Sequence, residues 1–260
     1  MPNGGRPAPE RTSGRVAHND NHGPGGVHAA HPASSGRQGE TRVTFWTDVP
    51  DEDREELEQL GWVRSFPAGV LILRERDASS HVILLRSGCV KVVCHSDDGY
   101  EVVLGIRDAG DLVGELASPA GEGRSASVYA ISDVEALVVP AGRFYGFVRT
   151  HPDTAVALHA TLSARLREAD RYRASAATEP VERRLAALLL ELGERYGQPD
   201  ATGAILIDLP LCQDELAGLL LTSRRTIGRV LMKLRRTGTV VTGRRVIILR
   251  EPATLRDMLR

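Results

Sequence analysis

At 260 residues, with 42% hydrophobic and 26% charged side chains, the chain has room for two small domains with buried cores, plus tails. Its formal net charge of -1 excludes a generally basic surface, so any contact with nucleic acid must come from cations gathered in one place. Three scattered cysteines, Cys89, Cys94 and Cys212, form neither a disulfide framework nor a paired metal-ligand set, and they read as inert thiols in a reducing compartment.

Residues 1–42 are rich in Gly, Pro, Ser, Asn and Arg and almost lack large apolar side chains, so this tail cannot offset the entropy of ordering and is expected to be disordered. His18, His22, His28 and His31 fall within it, but without neighbouring cysteines or a scaffold they make no metal site. No stretch approaches the roughly 18 consecutive apolar residues of a membrane span. No apolar signal core follows the first charges, and the expected location is the cytoplasm, with no membrane partner.

An acidic segment over residues 45–60, carrying Leu57 and Leu60, predicts one short helix with mostly solvated charge. The texture then changes to six short apolar runs at residues 70–73, 82–85, 89–93, 102–106, 125–130 and 134–139. Turn signals such as Arg86-Ser87-Gly88, Asp97-Asp98-Gly99 and Asp108-Ala109-Gly110-Asp111 separate them, and strands of about five residues at this spacing predict an all-β barrel or jelly roll. A helix of about two dozen residues follows, over 152–176. Its narrow apolar seam, Leu158, Leu162, Leu166 and Ala169 at intervals of four, four and three, predicts a dimer interface. Thr178-Glu179-Pro180 breaks the run at a hinge, with Pro180 expected at the first position of a further helix over 181–195.

Residues 213–234 read as two short amphipathic helices joined at Leu221-Thr222. Leu216 and Leu220 form the buried stripe of the first, and Ile227, Val230, Leu231 and Leu234 that of the second, with small Ala217 where they cross. Thr222 or Ser223 can cap the second helix, leaving Arg224, Arg225, Arg229 and Lys233 on its uncovered side with Thr226 in the first turn. From Arg224 to Arg250 there are nine Lys or Arg and no Asp or Glu. Two β runs around Thr242-Gly243-Arg244 then predict a hairpin wing that places Arg244 and Arg245 on backbone phosphates. A helix-turn-helix with a focused cationic face and a wing points to duplex DNA. No Ser-His-Asp, Cys-His or metal-ligand set has a recognisable context, which argues against an enzyme.

In this order the segments resemble the Crp/Fnr family of bacterial transcription regulators, over about residues 45–250. The most specific parts are S-R-R-T-I-G-R-V at 223–230 and G-D-L-V-G-E-L-A-S-P-A-G-E-G-R-S-A-S-V at 110–128. The resemblance implies an α+β chain: a disordered tail at 1–42, a β-roll (jelly-roll) sensor at 43–150, a long dimerisation helix and hinge at 151–178, and a winged helix-turn-helix domain at 179–260. It also implies a homodimer controlled allosterically by a small effector, with cyclic AMP or cyclic GMP as candidates, and as partners a palindromic DNA operator, a second copy of the chain and RNA polymerase. The alternative is a cyclic-nucleotide-binding regulatory module acting on a protein partner.

In the family's cyclic-nucleotide-binding members a Gly-Glu-Leu turn and an Arg-Ser pair hold the cyclic phosphate and ribose, which corresponds here to Gly114, Glu115, Leu116, Arg124 and Ser125. The chemistry is intelligible by itself: a guanidinium fork neutralises a phosphate, and a carboxylate accepts from a sugar hydroxyl. Glu115 and Arg124 can equally pair with each other across a loop. Cyclic-AMP-reading members place Thr-Ser on the dimer helix where this chain has Ala169-Asp170, so Asp170 either accepts from a purine amino group or borders an empty pocket. Leu221 stands where the family's turn has Gly, which implies a strained left-handed residue, and Arg225 stands where many members have Glu, which implies a different operator base pair. Three cysteines fall short of an iron–sulfur set, and His81, Cys89 and Cys94 read as strand residues rather than haem ligands.

Overall fold

The computed structural model describes residues 44–95, 101–116, 123–243 and 245–260, so the expectations for the tail lie outside the described residues. The acidic segment forms two helices, not one: α1, Phe45–Asp48, and α2, Asp51–Gln59. Val49 and Pro50 between them are extended, as a residue before proline prefers, and Thr44 and Thr47 close a capping box on α1.

Eight strands follow: β1 Trp62–Phe66, β2 Leu71–Leu73, β3 His81–Ser87, β4 Cys89–His95, β5 Glu101–Asp108, β6 Leu112–Val113, β7 Ser127–Ala130 and β8 Val134–Pro140. They form two four-stranded sheets, ordered β1-β8-β3-β6 and β2-β7-β4-β5, with antiparallel pairing throughout. Side chains alternate across each strand, so Ile83, Leu85, Val90, Val128, Ala136 and Val138 fill the space between the sheets. Val82, Leu84, Leu137 and Val139 point the other way, onto the helices. A strand buried on both faces reads as a continuous apolar run, which is why Val82-Ile83-Leu84-Leu85 stands out in the sequence.

The helices that cover this outer face are α1, α2 through Leu57, then α3 at Ala141–Thr150 and α4 at Pro152–Thr178. Phe45 and Phe144 meet with ring centroids 6.1 Å apart, and Thr154, fully buried, donates to Asp53 at 2.6 Å. α4 is 27 residues long, about 40 Å at 1.5 Å per residue.

Pro180 is extended, with φ -59° and ψ 147°, and precedes α5, Val181–Tyr196, instead of occupying its first position. Then come β9 Gly197–Pro199, β10 Ile205–Ile207, α6 Gln213–Leu219, α7 Arg224–Arg236, β11 Val240–Gly243, β12 Val246–Leu249 and α8 Pro252–Asp257. β9 and β10 extend the hairpin into a four-stranded sheet ordered β11-β12-β10-β9. Leu185, Leu189, Leu192, Leu216, Ile227, Leu231 and Leu249 interlock in one core, and each such side chain contributes roughly 1.5–3 kcal/mol by leaving water.

That core extends onto the outer face of the second roll sheet, where Cys89, Val93, Val103 and Ile106 join it. Around this apolar seam, Asp108 holds Arg195 at 2.6 Å and Tyr196 Oη at 2.5 Å, and Lys91 reaches Glu215 at 2.6 Å and Glu101 at 3.0 Å. Burial pushes the Tyr196 phenol well above its ordinary range, and the Asp108 carboxylate beside it adds to the rise. Gly218 of α6 lies so close to β5 that a Cβ there would stand 2.8 Å from the backbone nitrogen of Val103.

Candidate nucleic-acid interface and anion cassette

The second helix of the helix-turn-helix owes its start to Ser223, whose backbone is extended and whose Oγ accepts the amide of Thr226 at 3.1 Å. Such a cap is worth about 1 kcal/mol. The preceding turn is closed by Thr222 N–H donating to Ala217 O at 3.0 Å and Leu221 N–H to Gly218 O at 3.2 Å, the paired bonds of a Schellman motif. Leu221 takes the left-handed position, with φ 48°, where glycine would be unstrained. A penalty of roughly 1–2 kcal/mol is stored there. Part of the support comes from Arg184 of α5, which is buried and donates to Leu220 O at 2.5 Å, bringing positive charge to the end of α6.

Ile227, Val230, Leu231 and Leu234 are buried on one side of α7, and Arg225, Arg229 and Lys233 are exposed on the other. Arg224 is exposed too and pairs with Asp214 at 3.2 Å, but the pair is solvated on both sides and contributes little. The wing is tied to the helix by Arg235, which donates to Thr242 Oγ1 at 3.2 Å. Arg245 sits exposed in the wing turn at φ 68°, whereas Arg244 lies outside the described residues. A convex row of cations with a capped helix start, flanked by a hairpin, has the form of a surface for a polyanionic groove.

In the roll, Gly114 adopts φ 80°, and a Cβ there would meet Arg124 Nη1 at 2.7 Å. Only glycine lets the backbone fold down onto that guanidinium. Arg124 is 3% exposed and donates to Gly114 O at 2.9 Å, His81 O at 2.8 Å and Ser79 Oγ at 3.2 Å. Burial lowers its pKa. Three of its five N–H donors go to these acceptors, which leaves one on each terminal nitrogen, a pair that fits an anion.

Glu115 and Arg124 do not pair with each other. Instead Glu115, nearly buried, takes Arg165 of α4 at 2.5 Å, and Arg165 also donates to Leu112 O at 2.6 Å. Tyr145 of α3 donates to Glu115 O, closing the cassette from a third side. Ser125 and Leu116 are exposed. Asp170 does not join this group: it is exposed and pairs with Arg173 at 3.3 Å on the open side of α4. Along the apolar seam, Leu158 packs partly into its own domain, Leu162 and Ala169 are half-buried and Leu166 is 61% exposed. Sequence spacing carried no sign of Arg165 or Tyr145, because their contacts span 50 and 30 residues.

The described cysteines are unpaired thiols, and burial pushes Cys89 up to about 11, as an inert core thiol requires. No described helix is long and apolar enough to cross a membrane.

Comparison with known proteins bears on both sites. The model of the cyclic nucleotide-binding domain matches residues 63–151, and that of the Crp-like helix-turn-helix domain matches residues 183–258. The chain is 33% identical over 198 residues to the cyclic AMP receptor protein of Thermus thermophilus, covering 75% of this chain and 87% of that one. It is 28% identical over 184 residues to the CRP-like cAMP-activated global transcriptional regulator of Mycobacterium tuberculosis, covering 70% and 82%. Among solved structures, a CRP/FNR-family transcriptional regulator of Thermus thermophilus superposes with a TM-score of 0.61 at 26% identity, covering 76% of this chain and 98% of that one. The c-di-GMP-responsive regulator CLP of Xanthomonas campestris shares the fold, with a TM-score of 0.68 at 24% identity, covering 77% and 99%.

Proposed function

Because the chain belongs to the Crp/Fnr family and is a DNA-binding transcription regulator with a cyclic nucleotide-binding domain, we propose that it acts as a homodimer reading a palindromic operator through α7 and switched by a cyclic nucleotide in the roll. The observation that carries the reading is the uncovered row Arg224, Arg225, Arg229 and Lys233 on a helix whose other side is fully committed to the core. Ser223 and Thr226 contribute short hydroxyls at the helix start, beside the backbone amides that favour a phosphate. In this reading Gly114, Glu115, Arg124 and Ser125 hold the nucleotide, Arg124 on the phosphate and Glu115 on the ribose, and RNA polymerase is the downstream partner. The coupling is a population shift: a ligand that prefers one arrangement of α4 raises the fraction of DNA-competent dimers by its differential affinity.

Gel-shift titration tests the DNA surface. Arg224→Ala should weaken binding to the specific operator by about 1–3 kcal/mol and relax its base preference, whereas Arg245→Ala should weaken every duplex alike and reduce the salt slope by about one. Unchanged specific affinity in Arg224→Ala would remove α7 from the major groove.

The dimer rests on α4. Leu166 and Val156, 61% and 66% exposed, leave apolar surface on a long helix that its own domain does not cover, and a second α4 against it would set two α7 helices about one DNA turn, roughly 34 Å, apart. Leu166→Asp should give monomers in analytical ultracentrifugation without loss of fold, since this side chain is mostly exposed and belongs to no core of its own chain. An intact Leu166→Asp dimer would assign the interface elsewhere.

A further inference from the structure

We infer that Arg107 of β5 and Glu168 of α4 form the base-reading pair of the cassette and select a guanine over an adenine cyclic nucleotide. The inference rests on the effector reading above and adds the identity of the base. Arg107 pairs across the sheet with Val90, so it faces the interior of the roll, where it is only 8% exposed. Room for its guanidinium comes from Gly105, two residues earlier on the same face, where a Cβ would meet Arg107 Nη1 at 2.7 Å.

The Nη1 atom donates to Ile106 O at 2.9 Å and stands 3.6 Å from Glu168 Oε2, an ion pair too long for a hydrogen bond. The other charged groups near it are Arg165, Asp111 and Glu115, and burial lowers its pKa. A pair of this kind, with the arginine buried and the glutamate partly exposed, adds little net stability compared with apolar residues of the same size, so its presence asks for another role.

Its position supplies that role. The polar groups run in order from Arg124, over Gly114, to Glu115 held by Arg165, and three residues further along α4 to Glu168 facing Arg107. Three residues of helix advance about 4.5 Å, comparable to the step from a ribose to its base. With phosphate at Arg124 and sugar at Glu115, the base falls at Arg107 and Glu168.

Chemistry then decides which base. A guanidinium only donates and an ionised carboxylate only accepts. Guanine presents N7 and O6 as adjacent acceptors, which an arginine fork matches, and next to them the N1–H and N2–H donors that suit a carboxylate. Adenine puts its N6 amino donors where the guanidinium donates and its N1 lone pair where the carboxylate accepts. Asp170, the carboxylate singled out from sequence for a purine amino group, is exposed on α4, and Glu168 takes that part.

Calorimetry on the full chain with cyclic GMP and cyclic AMP tests the pair. Wild type should bind cyclic GMP on the order of 10- to 100-fold more tightly, the discrimination expected of one bidentate base contact. Arg107→Leu and the conservative Glu168→Gln should each bring the two nucleotides to within about threefold of one another. Circular dichroism and duplex gel shifts establish that each variant is folded, and Glu168→Gln, at a partly exposed position, stands if Arg107→Leu does not fold. Equal binding of both nucleotides by wild type, a preference for cyclic AMP, or discrimination retained in folded Glu168→Gln would overturn the base assignment while leaving the effector reading intact. Binding of neither nucleotide would overturn the effector reading itself, and the base assignment with it.

Discussion

Arg195→Leu is expected to separate the unfolding of the two halves of the chain. In the native structure Arg195 reaches across from α5 to Asp108 on the roll at 2.6 Å and is braced by Glu191 at 3.2 Å, with about a fifth of each of the two bridging side chains exposed. Breaking a fully buried pair costs about 3–5 kcal/mol, and the partial exposure here brings the expected loss to roughly 2–4 kcal/mol. Tyr196→Phe removes the second bond to the same carboxylate and should cost about 1 kcal/mol. Because the two substitutions share Asp108, their effects should not add. Urea denaturation followed by far-UV circular dichroism reads both numbers. The sharper sign is shape: with the seam intact the chain should unfold in one step, and in Arg195→Leu a second transition should appear as the winged domain comes off the roll. A single transition at the wild-type midpoint would mean that the ion pair contributes nothing to the junction.

The other large effect belongs to Arg124. Arg124→Ala withdraws the donors from Gly114 O and His81 O, each a partly buried carbonyl whose lost partner costs about 1 kcal/mol, and it withdraws the counter-charge of the proposed phosphate. Cyclic nucleotide affinity should fall by at least about 100-fold, close to 3 kcal/mol at 1.4 kcal/mol per factor of ten. Arg124→Lys separates the two contributions, since it retains the charge but cannot form the fork, and should recover part of the affinity while leaving one carbonyl poorly satisfied. Isothermal titration alongside a urea melt of each variant gives binding and stability independently. Full affinity in a folded Arg124→Ala would place the ligand elsewhere in the protein.

The parts of this architecture that sequence reveals are those whose signal is local. The apolar period of α7, its Ser223 cap and its cationic face lie within a helix of 13 residues and its cap, and the apolar runs of β3 and of residues 136–139 in β8 are continuous because both faces of these strands are covered. Strand β1 escaped notice because Trp62, Val63, Arg64 and Ser65 are all exposed at a sheet edge, so neither alternation nor a continuous run marks it. β6 has two residues, too few for any period. α3 carried a readable signal in Phe144 and Phe147, three apart, but sat between a strand and a much longer helix that drew the pattern.

The cassette was legible as a list of residues and not as a set of bonds. Gly114, Glu115 and Arg124 come from one short segment, yet Glu115 finds its cation on α4 and Arg124 finds its acceptors on the backbone. Arg107 lies just past the apolar run at 102–106 and has no pattern of its own, and only the register opposite Val90 turns it inward. The left-handed turn at Leu221 was visible from its place in the motif, but the arginine that supports it, whose bond to Leu220 O spans 36 residues, was not.

Gly218 removes the compliance that side chains usually provide between packed elements. Where two surfaces meet through leucines or methionines, rotamer changes absorb the first few tenths of an ångström of any sliding movement. At this joint the α6 backbone rests against the β5 backbone at Val103, with Lys91 and Glu215 pinning the same helix 2.6 Å apart at its other end. Such a bearing has no backlash. A displacement of β5 is therefore expected to act on α6 directly, and α6 is joined to α7 by a turn held with two hydrogen bonds and one strained residue. The strand that carries Arg107 inside the roll is thus the same strand whose outer face meets α6, and the two sites are separated by the thickness of one β-strand.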